Sequence, residues 1–134
     1  MANANELLTG LLRDVSRSFY LTMRVLPGDI RPQISLAYLL ARTTDTVADT
    51  QIVPVLKRLE LLRKFRERIL GKNNTPLSLN DLAQNQGSPS ERLLLERSED
   101  ILSLLSTHAP EDQQRIRDVL NIIVTGKQIG RAHV

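Results

Sequence analysis

The sequence predicts an all-α protein, and three observations carry that prediction. Apolar residues recur at three- and four-residue spacing through most of the chain, beginning with Leu8, Leu11, Leu12, Val15, Phe19, Met23 and Leu26. Pro and Gly punctuate the periodic stretches. No alternating strand pattern or Asn-Gly hairpin signal occurs. With 134 residues and 41% apolar content, the chain amounts to one domain with enough apolar material for a core.

The elements follow in order. A first helix is expected from Asn5 to Leu26, broken by Pro27-Gly28-Asp29. A second runs from Ile30 to Asp49, with Pro32 in its first turn, where no intrahelical N–H bond is needed. Ile34, Leu36, Ala37, Leu39, Leu40, Ala41, Val47 and Ala48 make this helix apolar nearly all round, the mark of a central, buried helix. Pro54 opens a third helix and Gly71 closes it, with Leu56, Leu59, Leu62, Phe65, Ile69 and Leu70 as its apolar positions. Lys72 to Gly87 is polar and reads as a loop containing one short helical turn. Ser88-Pro89-Ser90-Glu91 is a helix start, with Ser88 as N-cap, Pro89 at N1 and Glu91 completing a capping box. The fourth helix is expected to reach Thr107, where His108 caps it or stands in solvent. Pro110-Glu111-Asp112 starts a fifth helix and Gly126 ends it. Glu96 and Asp100, four apart between two arginines, read as surface ion pairing. There is no internal repeat.

Composition excludes several classes of function. The chain has no cysteine, so it offers neither a disulfide framework nor a thiolate metal site. It has no apolar run of about eighteen residues. The amino terminus, Met1-Ala-Asn-Ala-Asn-Glu6, lacks the basic-then-apolar order of a signal peptide, so a cytoplasmic location is expected. Net charge is +3 and fourteen of the eighteen basic residues are arginine. Only four aromatics occur and the arginines are spread among acids along helices, so nucleic acid is not the expected partner. Arginine's fork suits diphosphate instead.

The second helix carries the sharpest signal. Tyr38, Arg42, Asp45 and Asp49 fall at i, i+4, i+7 and i+11. At a helical pitch they stand at about 0°, 40°, −20° and 20°, within one narrow arc. Two carboxylates one turn apart repel unless a cation sits between them. A hard divalent ion such as Mg²⁺ suits that place, since it takes oxygen ligands, keeps several waters and bridges to phosphates. Arg42, one turn upstream, suits a phosphate oxygen. In the first helix Arg13, Arg17, Tyr20 and Arg24 repeat the same spacing as a cationic strip. Alone that strip reads as a solvated face with Phe19 in the core; beside Arg42 and the aspartates it becomes the other half of a diphosphate cradle.

Ser16-Arg17-Ser18-Phe19, the Leu26-Pro27 turn, Arg31 and Tyr38-x-x-x-Arg42-x-x-Asp45-x-x-x-Asp49 together resemble the amino-terminal part of the squalene/phytoene synthase family. Glu91-Arg-Leu-Leu-Leu-Glu96 and the helix end from Val119 to Gly126 resemble its bacterial members. The resemblance implies an all-α isoprenoid synthase fold and head-to-head joining of two isoprenyl diphosphates. It further implies that Asp45 and Asp49 hold Mg²⁺ and that Tyr38 and Arg42 contact the diphosphate. Ser16, Arg17, Ser18 and Phe19 would line the substrate, and Arg17 and Arg42 the cofactor end, where NADPH serves if the intact enzyme completes reduction to squalene. Peripheral membrane association of the intact enzyme is a further implication. Ala48 departs from the pattern by standing where eukaryotic squalene synthases carry an additional acid, which favours a bacterial-type enzyme. The expected product is presqualene diphosphate or squalene from farnesyl diphosphate, with a phytoene-type reaction on C20 diphosphates as the alternative. The rival from another class is a non-enzymatic helical interaction module.

The family's second Asp-rich motif has no counterpart among the later carboxylates. Residues 1–128 are therefore expected to be the amino-terminal portion of a catalytic domain, inactive alone. Residues 129–134, Ile129-Gly-Arg-Ala-His-Val134, match one reading frame of a sequencing adaptor, ATC GGA AGA GCA CAC GTC, and are expected to be a non-native tail in which His133 has no function.

Overall fold

The computed structural model describes residues 10–14, 16, 20–21, 24–25, 27–118 and 120–121. It is all-α, with no strand among the described residues. Helix α1 spans Arg31–Asp49, α2 Val55–Leu70, α3 Asn80–Ala83, α4 Pro89–Glu96 and α5 Ser98–Leu105. Residues 10–14, 110–118 and 120–121 are also helical.

Helix α1 is the axis of the molecule, as its nearly continuous apolar surface predicts. It contacts α2, α4 and α5, and its buried residues fall into two core clusters. Leu36, Leu39 and Leu40 pack with Leu11, Leu12, Phe65, Ile69, Leu94, Ile101 and Leu120. Two turns further on, Val47 and Ala48 pack with Leu61, Leu62, Leu79, Leu82, Ala83 and Leu95. Thr43, Thr44 and Thr46 are buried too. The Thr43 and Thr44 hydroxyls donate to the carbonyls of Leu39 at 2.8 Å and Leu40 at 3.0 Å, so these two buried oxygens are satisfied within their own helix.

Pro54 and Gly71 delimit α2 as expected. Pro54 is the residue before its first turn, and Gly71 ends it at φ 76°, a left-handed conformation open to glycine. The loop that follows holds the one short helical turn expected of it, α3.

Three expectations are corrected. The fourth helix is not continuous from Ser88 to Thr107, because Arg97 closes α4 and opens α5. Its ψ of 13° departs from the helical value of about −42°, and its Nε holds Asp100, in the first turn of α5, at 2.6 Å. Apolar spacing runs on through the bend, so periodicity does not reveal it. Of the two alternatives for His108 only the cap is set aside, because hydroxyls meet the terminal carbonyls of α5 and the imidazole is partly exposed: Thr107 Oγ1 donates to Leu104 O at 2.6 Å and Ser106 Oγ to Ser103 O at 2.8 Å. Leu56 is 81% exposed and Leu61 is buried instead, because only the later turns of the α2 stripe reach neighbouring helices. The expected end of the last helix at Gly126 and the tail 129–134 lie outside the described residues, as do Val15, Phe19, Met23 and Leu26 of the first.

Candidate functional site

The carboxy-terminal half of α1 forms one wall of a cleft of about 330 Å³. Arg42, Asp45, Thr46 and Asp49 line it from α1, and Gln86, Gly87, Ser88 and Glu91 line it from the α3–α4 connection and the first turn of α4. Local chemistry fixes both walls. Ser88 caps α4 by accepting the Glu91 backbone N–H at 3.4 Å, with Pro89 in the first turn. The Gln86 amide donates to Thr50 Oγ1 at 2.9 Å and to Leu82 O at 3.1 Å, tying the connection to the end of α1. Arg58 Nη1 donates to Ala48 O at 2.6 Å, placing a cation at the negative end of α1.

Glu91 joins the walls. Its Oε1 accepts from Arg42 Nη2 at 2.5 Å and its Oε2 accepts from the Thr46 hydroxyl. The capping box foreseen for Ser88 and Glu91 is therefore half made: the serine caps, but the glutamate side chain is turned across the cleft. Burial works against the charge on Arg42, yet the hydrogen bond and charge of Glu91, with Asp45 adding to them, outweigh it and hold the guanidinium above its ordinary range. Arg42 is thus a permanent cation whose charge Glu91 balances. Asp45, half-buried, and Asp49, exposed, are the further carboxylates that line the cleft.

Those two carboxylates fit a hard divalent ion. Among the described residues no group of three or more His, Cys, Asp or Glu side chains gathers around one point. Two oxygen donors with room beside them are what magnesium accepts when water and phosphate complete its shell. A site that dehydrated the ion fully would need more donors than this wall offers.

Arg42, Asp45 and Asp49 thus come together as the spacing requires. Tyr38 does not line the cleft; it is half-buried against the first core cluster. Ser16 is half-buried, its backbone N–H donating to Leu12 O at 2.9 Å. Arg17, Ser18 and Phe19 lie outside the described residues. Of the cationic strip, Arg13 and Arg24 are exposed and Tyr20 packs on the first core cluster, so none of these three lines the cleft. Thr46, Gln86 and Glu91 were not foreseen as cleft residues. Glu91 pairs with Arg42 across 49 positions of sequence, a separation at which no local pattern speaks.

No described helix is long and apolar enough to cross a membrane. The family model for squalene/phytoene synthase matches residues 12–127. A squalene synthase of Saccharomyces cerevisiae is 30% identical over 109 residues, covering 81% of this chain and 23% of its own. A squalene synthase of Botryococcus braunii is 27% identical over 110 residues, covering 81% of this chain and 22% of its own. The solved complex of TcSQS with the ligand E5700 matches with a TM-score of 0.79 at 26% identity, over 96% of this chain and 36% of that one. The chain therefore spans less than a quarter of the length of these two sequence relatives.

Proposed function

Because the chain belongs to the squalene/phytoene synthase family, we propose that its polar cleft is one wall of a head-to-head prenyltransferase site. The reaction is the joining of two farnesyl diphosphates to presqualene diphosphate or squalene. Residues 1–128 would supply the amino-terminal portion of that catalytic domain. The observation that supports this most is the convergence of Arg42, Asp45 and Asp49 on one cleft.

The chemistry accounts for the residue types. Ionisation of an allylic diphosphate separates an anionic leaving group from a carbocation. Asp45 and Asp49 would hold magnesium, and Arg42 would bind a phosphate oxygen through its planar fork. Bound magnesium supplies charge neutralisation to the departing diphosphate. The leaving group departs as an anion, so no side chain need protonate it. Arg17 and Ser18 would act at the same substrate from the first helix, and NADPH would serve only if reduction to squalene follows.

One wall is not a whole site. Joining two diphosphates develops negative charge that a single arginine and one metal-holding pair leave largely uncompensated, so the 134-residue chain alone should form no product. Incubation with labelled farnesyl diphosphate and magnesium tests this against a chain of the relatives' length. Labelled C30 product from the long form alone is expected. Product from the short form would mean that the described helices hold a complete site, and absence of product from the long form would remove the enzymatic reading.

A further inference from the structure

Glu91 reaches across the cleft and commits both its carboxylate oxygens to α1. It is 18% exposed at the side chain, and its partners Arg42 and Thr46 lie one turn apart on α1. The contact is monodentate on the arginine: Nη2 alone meets Glu91. Arg42 Nε is buried with no hydrogen-bond partner among the described residues. With Nη2 alone engaged, the fork retains donors for an acceptor. The Arg42 side chain is 37% exposed, so its free end is open to the cleft that Asp45 and Asp49 share.

Two other roles for Glu91 fit less well. As a capping residue its carboxylate would return to the Ser88 backbone, whereas it reaches across to α1. As a metal ligand it would bring a second cation against the oxygen that already holds the Arg42 guanidinium.

We propose that Glu91 is the positioning residue of this cleft: tethered by Thr46, it grips one end of the Arg42 guanidinium and aims the remaining donors at an anion bound beside Asp45 and Asp49. The proposal rests on the reading of the cleft as a metal and diphosphate site. Glu91 itself touches neither metal nor substrate. Its effect on anion binding passes wholly through Arg42. Ser88 and Pro89 belong to the same device, because they set where α4 starts and hence which side of its first turn meets α1.

Calorimetric titration of the 134-residue chain with inorganic pyrophosphate in excess magnesium tests the proposal through four forms: parent, Glu91→Gln, Arg42→Gln and the double variant. Each single variant should weaken binding by about tenfold. The double variant should bind no more weakly than Arg42→Gln alone, since Glu91 has nothing to position once the guanidinium is gone. Thr46→Val, which removes the tether and keeps the shape, should cost about fivefold. Nitrogen-15 spectra give a reading free of ligand: the Arg42 guanidinium protons should be protected from exchange in the parent and lose protection in Glu91→Gln. Unchanged or tighter binding by Glu91→Gln, or a further tenfold loss on the Arg42→Gln background, would overturn the positioning role while leaving the cleft reading intact. A parent that binds no magnesium pyrophosphate, with Arg42 protected, would overturn the cleft reading and this role with it.

Discussion

Helix α1 carries two hollows of nearly the same size and opposite chemistry. Near its end, Arg42, Asp45, Thr46 and Asp49 face Gln86 and Glu91 across about 330 Å³. Near its start, Ile30, Ile34 and Ala37 face Ile116 across about 340 Å³, with Gln33, Asp112 and Arg115 beside them. The second hollow closes its own accounts of charge: Gln33 Nε2 donates to Asp112 at 3.1 Å, and Arg115 pairs with the same carboxylate at 3.5 Å. The first holds, besides the Arg42–Glu91 pair, the carboxylates of Asp45 and Asp49 one turn apart. Volume therefore does not distinguish a ligand site from a packing defect here. The side chains that line it do.

The comparison breaks most sharply at the aspartates. Asp45→Asn with Asp49→Asn should lower magnesium affinity by more than about 100-fold, beyond the loss usual for an outer partner of a metal ligand. The same double variant should keep a cooperative unfolding transition, because both side chains line the cleft rather than the core. A large loss of stability would make the pair structural. At the apolar hollow the signs reverse: Ile34→Ala should cost roughly 1–2 kcal/mol of stability, a discounted value for a half-buried residue, and leave pyrophosphate binding unchanged. Denaturant unfolding and calorimetry on one preparation check both halves.

Smaller effects sharpen the contrast. Arg42→Lys keeps the charge and removes the fork, so diphosphate binding should fall by about tenfold with little change in stability. An unchanged affinity would show that the guanidinium faces elsewhere. Ser88→Ala removes the cap of α4 and should cost about 1 kcal/mol, with a modest loss of pyrophosphate affinity as Glu91 loosens. Stability lost without any loss of affinity would separate α4 from the site.

What the sequence made legible follows the range of the signal. The extent of α1 and α2, the Gly71 stop and the Ser88 cap all depend on residues within a turn of one another, and each is found where expected. Asp45 and Asp49 share a face because helical pitch alone puts them there. The bend at Arg97 was hidden because apolar spacing persists through it. Glu91 was hidden for a different reason: its local role as a capping-box acid explained it so well that nothing asked for a distant partner. Tyr38 shares the Arg42 arc by pitch and acts on the Arg42 charge, while its ring packs on the first core cluster. Tertiary contact decides that, and spacing does not contain it.

The central claim is that the Asp45 and Asp49 carboxylates at the end of α1 bind magnesium, which in turn recruits an isoprenyl diphosphate. Calorimetric titration with a non-hydrolysable farnesyl diphosphate analogue, before and after magnesium is removed with a chelator, tests it most directly. The account predicts binding with magnesium, its loss on chelation and its recovery when magnesium is restored, with Asp45→Asn bringing the magnesium-containing sample to the chelated level. Equal affinity with and without magnesium, or binding indifferent to Asp45→Asn, would contradict it.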